Sequence, residues 1–173
     1  MKYYYLHQYL SLISFLIIPL VIYWNPSWLS LMGYQAYWPI FWLLPWALIN
    51  GPFKSLLVGF LLGFILDTIN ADFYTQIPGL MICGLWFGRI GRFNQFNNRP
   101  LDFGLTAAIG SLICGLIYYC QIVVKLLLEN SPLWLFSYGI QNIFAQVLLT
   151  SLFAPVFCKW LYFLFSKKYK LKI

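Results

Sequence analysis

The feature that most limits this chain is a succession of long apolar runs, each closed by a turn-forming cluster rather than by a charged face. The breaks fall at Asn25-Pro26, Asn50-Gly51-Pro52, Asn70-Ala71-Asp72 and Asn130-Ser131-Pro132, with a basic loop between Arg89 and Arg99. About 20 predominantly apolar residues suffice for a helix to cross the hydrocarbon core of a bilayer. Only 9% of the 173 residues are charged, against 62% hydrophobic. A soluble domain carries roughly a quarter charged residues to cover its surface, so lipid is the expected solvent for most of this chain. The same balance excludes a disordered chain, a disulfide-rich secreted scaffold and a collagen-like fibre, and leaves no space for a second, aqueous domain.

The expected fold is an all-α integral membrane protein, a compact bundle of about six transmembrane helices forming one multi-pass domain over residues 1–173. Spans are expected at approximately 10–24, 28–49, 52–69, 76–90, 103–128 and 139–165. The first run has no small-residue cleavage site before Asn25-Pro26 and reads as an uncleaved span. The second carries Pro39 and Pro45, which makes it a kinked span or a re-entrant piece. Pro52 suits the first position of the third. Ser137-Tyr138-Gly139 is expected to separate a short interfacial piece containing Trp134 from the last span, which Pro155 should kink by removing the hydrogen bond to the Ser151 carbonyl.

Charge gives an independent check on the count. With six spans, Lys2, Lys54, Arg89, Arg92, Arg99 and the tail lysines 167, 168, 170 and 172 share one side, whereas the other holds Lys125, Asp72 and Glu129. The positive-inside rule then makes both termini cytoplasmic. Five spans would separate Lys2 from the C-terminal lysines. The net charge of +7 is thus an orientation signal and an attraction for anionic membrane lipids. It leaves no exposed basic face for nucleic acid.

In a membrane, small residues permit close helix contact and polar ones are costly unless paired. Gly59, Gly63 and Asp67 are spaced by four and form one helical stripe ending in a carboxylate. Gly84, Gly88 and Arg92 repeat the device, and Ala107, Ser111 and Gly115 offer a third small face. These stripes either pack against each other or receive a partner's transmembrane helix. At 1.5 Å per residue from Pro52, Asp67 lies roughly 22 Å along its helix. There it either ends the helix at water or serves as a buried acceptor that fixes the next turn or binds a partner. Gln121, Asn142 and Gln146 are candidates for an interhelical amide network or, secondarily, for a ligand. Cys83, Cys114, Cys120 and Cys158 lack metal-ligand or redox spacing and read as small buried hydrophobes, and the lone His7 as interfacial.

The chain contains no H-E-x-x-H, no paired acidic cluster, no glycine-rich loop with a lysine and no nucleophile with a base in reach. A channel or voltage sensor would need rings or ladders of charge. No catalytic residue, metal ligand or cofactor is therefore expected. A scaffold or a binder is what the residues support.

The run from Gly59 to Asp67, its short loop, the Pro78-Gly79-Leu80 start of another apolar helix and the ending Gly88-Arg89 resemble the rod shape-determining protein MreD family. The resemblance covers overall length and hydropathy, and its motifs lie within about residues 50–92. It implies a non-enzymatic component of the bacterial cell-elongation machinery in the inner membrane. Such a component binds MreC, a single-span partner with an outer-face domain, and through it connects MreB filaments to peptidoglycan synthases and other cell-wall elongation proteins. Gly59, Gly63 and Asp67 become the first candidates for structure or partner contact. The family is also similar in fold to the six-helix substrate-binding subunits of energy-coupling-factor vitamin transporters. A small-molecule binder that docks on a transporter module is accordingly the competing expectation; it would need an outward pocket lined by polar groups from several helices.

Overall fold

The computed structural model describes residues 30–31, 34–70, 74–93, 99–128 and 135–170. The first expected span, His7, Lys2, Asp72, Glu129, Trp134 and Lys172 lie outside the described residues. The described residues are mostly helical, with one minimal pair of strands. Strands β1 (Ser30–Leu31) and β2 (Tyr34–Gln35) pair antiparallel, followed by helices α1 (Trp38–Asn50), α2 (Pro52–Asn70), α3 (Ile77–Arg92), α4 (Pro100–Leu128) and α5 (Leu135–Lys170).

Among the described residues, three stretches are long and apolar enough to cross a membrane: Pro52–Ile69, Pro100–Leu128 and Gly139–Phe165. Their outer faces fit that solvent. On α5, Ile140, Phe144, Leu148, Leu152, Val156 and Trp160 recur every four residues and are all exposed; on α4, Leu101, Leu105, Ile109, Leu112 and Leu116 are exposed at steps of three or four. Continuous apolar stripes of this size are unsustainable in water.

The core centres on α1, the shortest and most buried helix, which touches all four others. Ile40, Leu43, Leu44 and Ala47 are completely shielded, as a helix apolar on all sides must be. Its 13 residues extend only about 20 Å. Pro39 sits in the first turn, where a missing N–H costs nothing, and it prevents the helix from continuing backwards because its ring would strike the Gln35 carbonyl. The expected kinked helix over 28–49 is therefore corrected: among its described residues, 30–31 and 34–35 are paired strands and the helix begins at Trp38. Pro45 lies inside α1 and cannot donate to the Phe41 carbonyl; the Cys158 thiol of α5 approaches that carbonyl at 3.5 Å instead.

Around α1 stand two antiparallel hairpins, α2 with α3 and α4 with α5. Gly51 turns the chain between α1 and α2 at φ +83°, a left-handed conformation that favours glycine. A second correction concerns α5, which runs unbroken through Ser137-Tyr138-Gly139. A glycine inside a helix costs only about 1 kcal/mol relative to alanine, and here its missing side chain is used: a Cβ on Gly139 would enter the Tyr119 ring. At Pro155 the freed Ser151 carbonyl faces Gly104 of α4, whose Cβ would stand 3.2 Å away.

Candidate functional site

The Gly59–Gly63 stripe is filled from within the chain. A side chain at Gly59 would strike the Leu80 carbonyl of α3, and one at Gly63 would stand 2.6 Å from Ile77 Cα. The contact is reciprocal: Gly84 lies on the Ser55 carbonyl of α2, and Gly88 on Pro52. Four glycines thus bring two helix backbones into direct contact, the geometry that small residues permit in membranes. Buried Ser55 completes the seam by donating to the carbonyl of Gly51 in the α1–α2 turn at 2.7 Å, so its hydroxyl is satisfied without a partner from α3. At this end of the bundle Lys54, Arg89 and Arg92 collect beside the α1–α2 turn, because Gly91 is pressed on Leu48 and Gly88 on Pro52.

The seam ends at Asp67, and there the chemistry changes. Asp67 Oδ1 accepts the Gln76 N–H at 2.8 Å, which ties the end of α2 to the start of α3. Its second oxygen is buried and has no hydrogen-bond partner among the described residues. Gln76 in turn accepts the Tyr37 hydroxyl through Oε1 at 2.9 Å, and the Tyr37 backbone N–H donates to Thr150 Oγ1 on α5 at 3.0 Å. The Thr150 hydroxyl donates in turn to the Gln146 carbonyl at 2.6 Å. One polar chain, Asp67–Gln76–Tyr37–Thr150, therefore joins α2, α3, the segment before α1, and α5. Each link satisfies a group that would be expensive to bury alone.

Beside this chain lies a cavity of about 290 Å³. Tyr37 and Trp38 line it from the start of α1, Gln76 and Gly79 from α3, Cys114, Tyr118 and Tyr119 from α4, and Gly139, Asn142 and Gln146 from α5. Among the described residues, no Asp, Glu, Lys or Arg side chain contributes to its wall. It occupies the end of the bundle opposite Lys54, Arg89 and Arg92.

Of the polar residues singled out in the sequence, Asn142 and Gln146 share this wall. The expected amide network does not form, because Gln121 bonds elsewhere: it accepts the Thr75 N–H and donates to the Thr75 carbonyl, both at 2.9 Å. A backbone segment offering donor and acceptor together is a complete partner for one amide. The cysteines divide as well. Cys83, Cys114 and Cys158 are buried, with the Cys83 and Cys114 sulfurs 3.4 Å apart, but Cys120 is exposed, because its position on α4 turns away from α3 and α5. Sequence reasoning missed Tyr37, Gln76 and Thr150. Gln76 carried a usable signal, since it stands two residues before Pro78 at a helix start; Tyr37 and Thr150 meet across 113 positions, and no local pattern announces such a pair. Among the described residues, no three His, Cys, Asp or Glu side chains come together as metal ligands. Comparison with protein-family models, with curated proteins and with solved structures gives no match to this chain.

Proposed function

We propose that this chain is a non-enzymatic membrane scaffold of the bacterial cell-elongation machinery, which holds an MreC-like single-span protein and through it links cytoskeletal filaments to peptidoglycan synthesis. In this reading it crosses the inner membrane six times, with both termini in the cytoplasm and a bundle similar to the substrate-binding subunits of energy-coupling-factor transporters. The observation that carries the reading is that the motif on which the resemblance rests is one built element. Gly59 and Gly63 close the α2–α3 seam, and Asp67, at the end of the same stripe, fastens the following turn through Gln76. The gathering of Lys54, Arg89 and Arg92 at one end supports the orientation.

Because α3 fills the seam, the partner's helix is received on the lipid-facing side chains of α2, α4 or α5. Affinity capture of the tagged chain from native membranes tests the proposal: recovery of a single-span protein with a coiled-coil outer domain supports it, and recovery of a transporter ATPase contradicts it.

One observation favours a second reading, a substrate-binding subunit of a small-molecule transporter. The cavity at the weakly charged end is lined by polar groups from several helices, as such a subunit requires.

A further inference from the structure

The amides in the cavity wall are unspent. Asn142 and Gln146 make no side-chain hydrogen bond among the described residues, and Gln76 uses only its Oε1, leaving its Nε2 donors available. Three side-chain amides, two from α5 and one from the residue that precedes α3, thus offer both donors and acceptors to one space. Tyr37, Tyr118 and Tyr119 also line the cavity, and aromatic faces favour flat, polarizable partners. The volume of about 290 Å³ stands at the lower end of the roughly 300–1,000 Å³ typical of small-molecule sites, which suits two or three fused rings. Among the described lining residues no charged side chain offers a counter-ion, and taking an unpaired charge out of water is strongly disfavoured. An acyl chain would leave all three amides facing hydrocarbon.

From these features we infer that the cavity binds an uncharged, planar molecule whose edge carries adjacent hydrogen-bond donors and acceptors, such as a lactam- or imide-bearing ring. Asn142 and Gln146 read that edge, Gln76 Nε2 donates from the opposite wall, and the tyrosine rings cover its faces. This inference deepens the small-molecule reading of the cavity and rests on it; the scaffold reading stands independently, since a scaffold can also hold a ligand.

The test is equilibrium dialysis of the full chain in lipid nanodiscs against lumichrome, an uncharged planar ring with an imide edge, and against a carboxylated lumichrome, with empty nanodiscs as the blank. Asn142→Leu and Gln146→Met remove the amides at nearly constant volume, and an unchanged melting temperature shows that each variant is folded. The wild-type chain is expected to retain one lumichrome per chain, about tenfold more weakly in each single variant and roughly a hundredfold more weakly in the double variant. The carboxylated ring is expected to pass through unretained. Equal retention by the double variant, or preference for the carboxylated ring, would overturn the ligand class. Native mass spectrometry of the same sample separates the remaining outcomes. A stoichiometric charged or non-planar endogenous molecule overturns the class but keeps the cavity as a binding site. Retention of neither ring, with no endogenous molecule, overturns both.

Discussion

The α2–α3 seam and the cavity wall are both rich in glycine, yet one is closed and the other open. The difference lies in what the glycines meet. At the seam, Gly59, Gly63, Gly84 and Gly88 all face the backbone of the opposite helix. Around the cavity, Gly115 faces the Ile143 side chain, Gly139 the Tyr119 ring, and Gly79 the Cα and side chain of Cys114, which a Cβ there would meet at 3.2–3.5 Å. Backbone against backbone leaves no volume and no freedom to adjust. Backbone against a large side chain holds two helices further apart and leaves space beside the ring. Small residues in a membrane helix therefore do not by themselves indicate where a partner binds; their function depends on whether the facing group is main chain or side chain.

The sharpest way to break this comparison is to put bulk in the seam. Gly63→Leu is expected to destabilise the bundle by ~3 kcal/mol or more, because nothing on the Ile77 backbone can move aside; loss of a monodisperse species in detergent chromatography would register it. Behind it come the changes at Asp67. Asp67→Leu leaves the Gln76 N–H without an acceptor and should cost about 1–3 kcal/mol, whereas Asp67→Asn keeps a carbonyl oxygen there and should cost less than about 1 kcal/mol. Thermal melts of the two variants side by side decide the point, and equal losses would mean that the charge itself is needed.

Weaker still is Thr150→Val, which removes both the acceptor for Tyr37 and the donor to Gln146, at roughly 1–2 kcal/mol. The smallest effect belongs to the open region. Gly139→Ala pushes only on the Tyr119 ring, which can turn, so the melting temperature should fall by less than in any seam variant. A loss as large as that of Gly63→Ala would erase the distinction between the two regions.

Much of the fold was legible because membranes impose simple rules. Apolar run length located α2, α4 and the body of α5, and α2 begins at Pro52 as expected. Turn chemistry placed the start of α3 within one residue of Gln76. What escaped was decided by tertiary contact. The glycine in Ser137-Tyr138-Gly139 read as a break, yet in the bundle it is packed against Tyr119. Residues 28–37 read as the start of a span, but Pro39 makes Trp38 the first residue of α1. The site was legible in half: spacing of four put Gly59, Gly63 and Asp67 on one stripe, and Asn142 with Gln146 on another. Whether a stripe faces a neighbour, a partner or a cavity depends on helix rotation, which an apolar sequence with little amphipathic contrast does not encode.

The most direct test is photo-crosslinking in living cells, with a photoreactive phenylalanine placed in turn at lipid-facing Phe60 and Phe144 and at buried Leu62 beside the seam. A scaffold whose seam is already filled predicts crosslinks to one single-span membrane protein from at least one exposed position and none from Leu62. A crosslink to that protein from Leu62, or none from either exposed position, would contradict it.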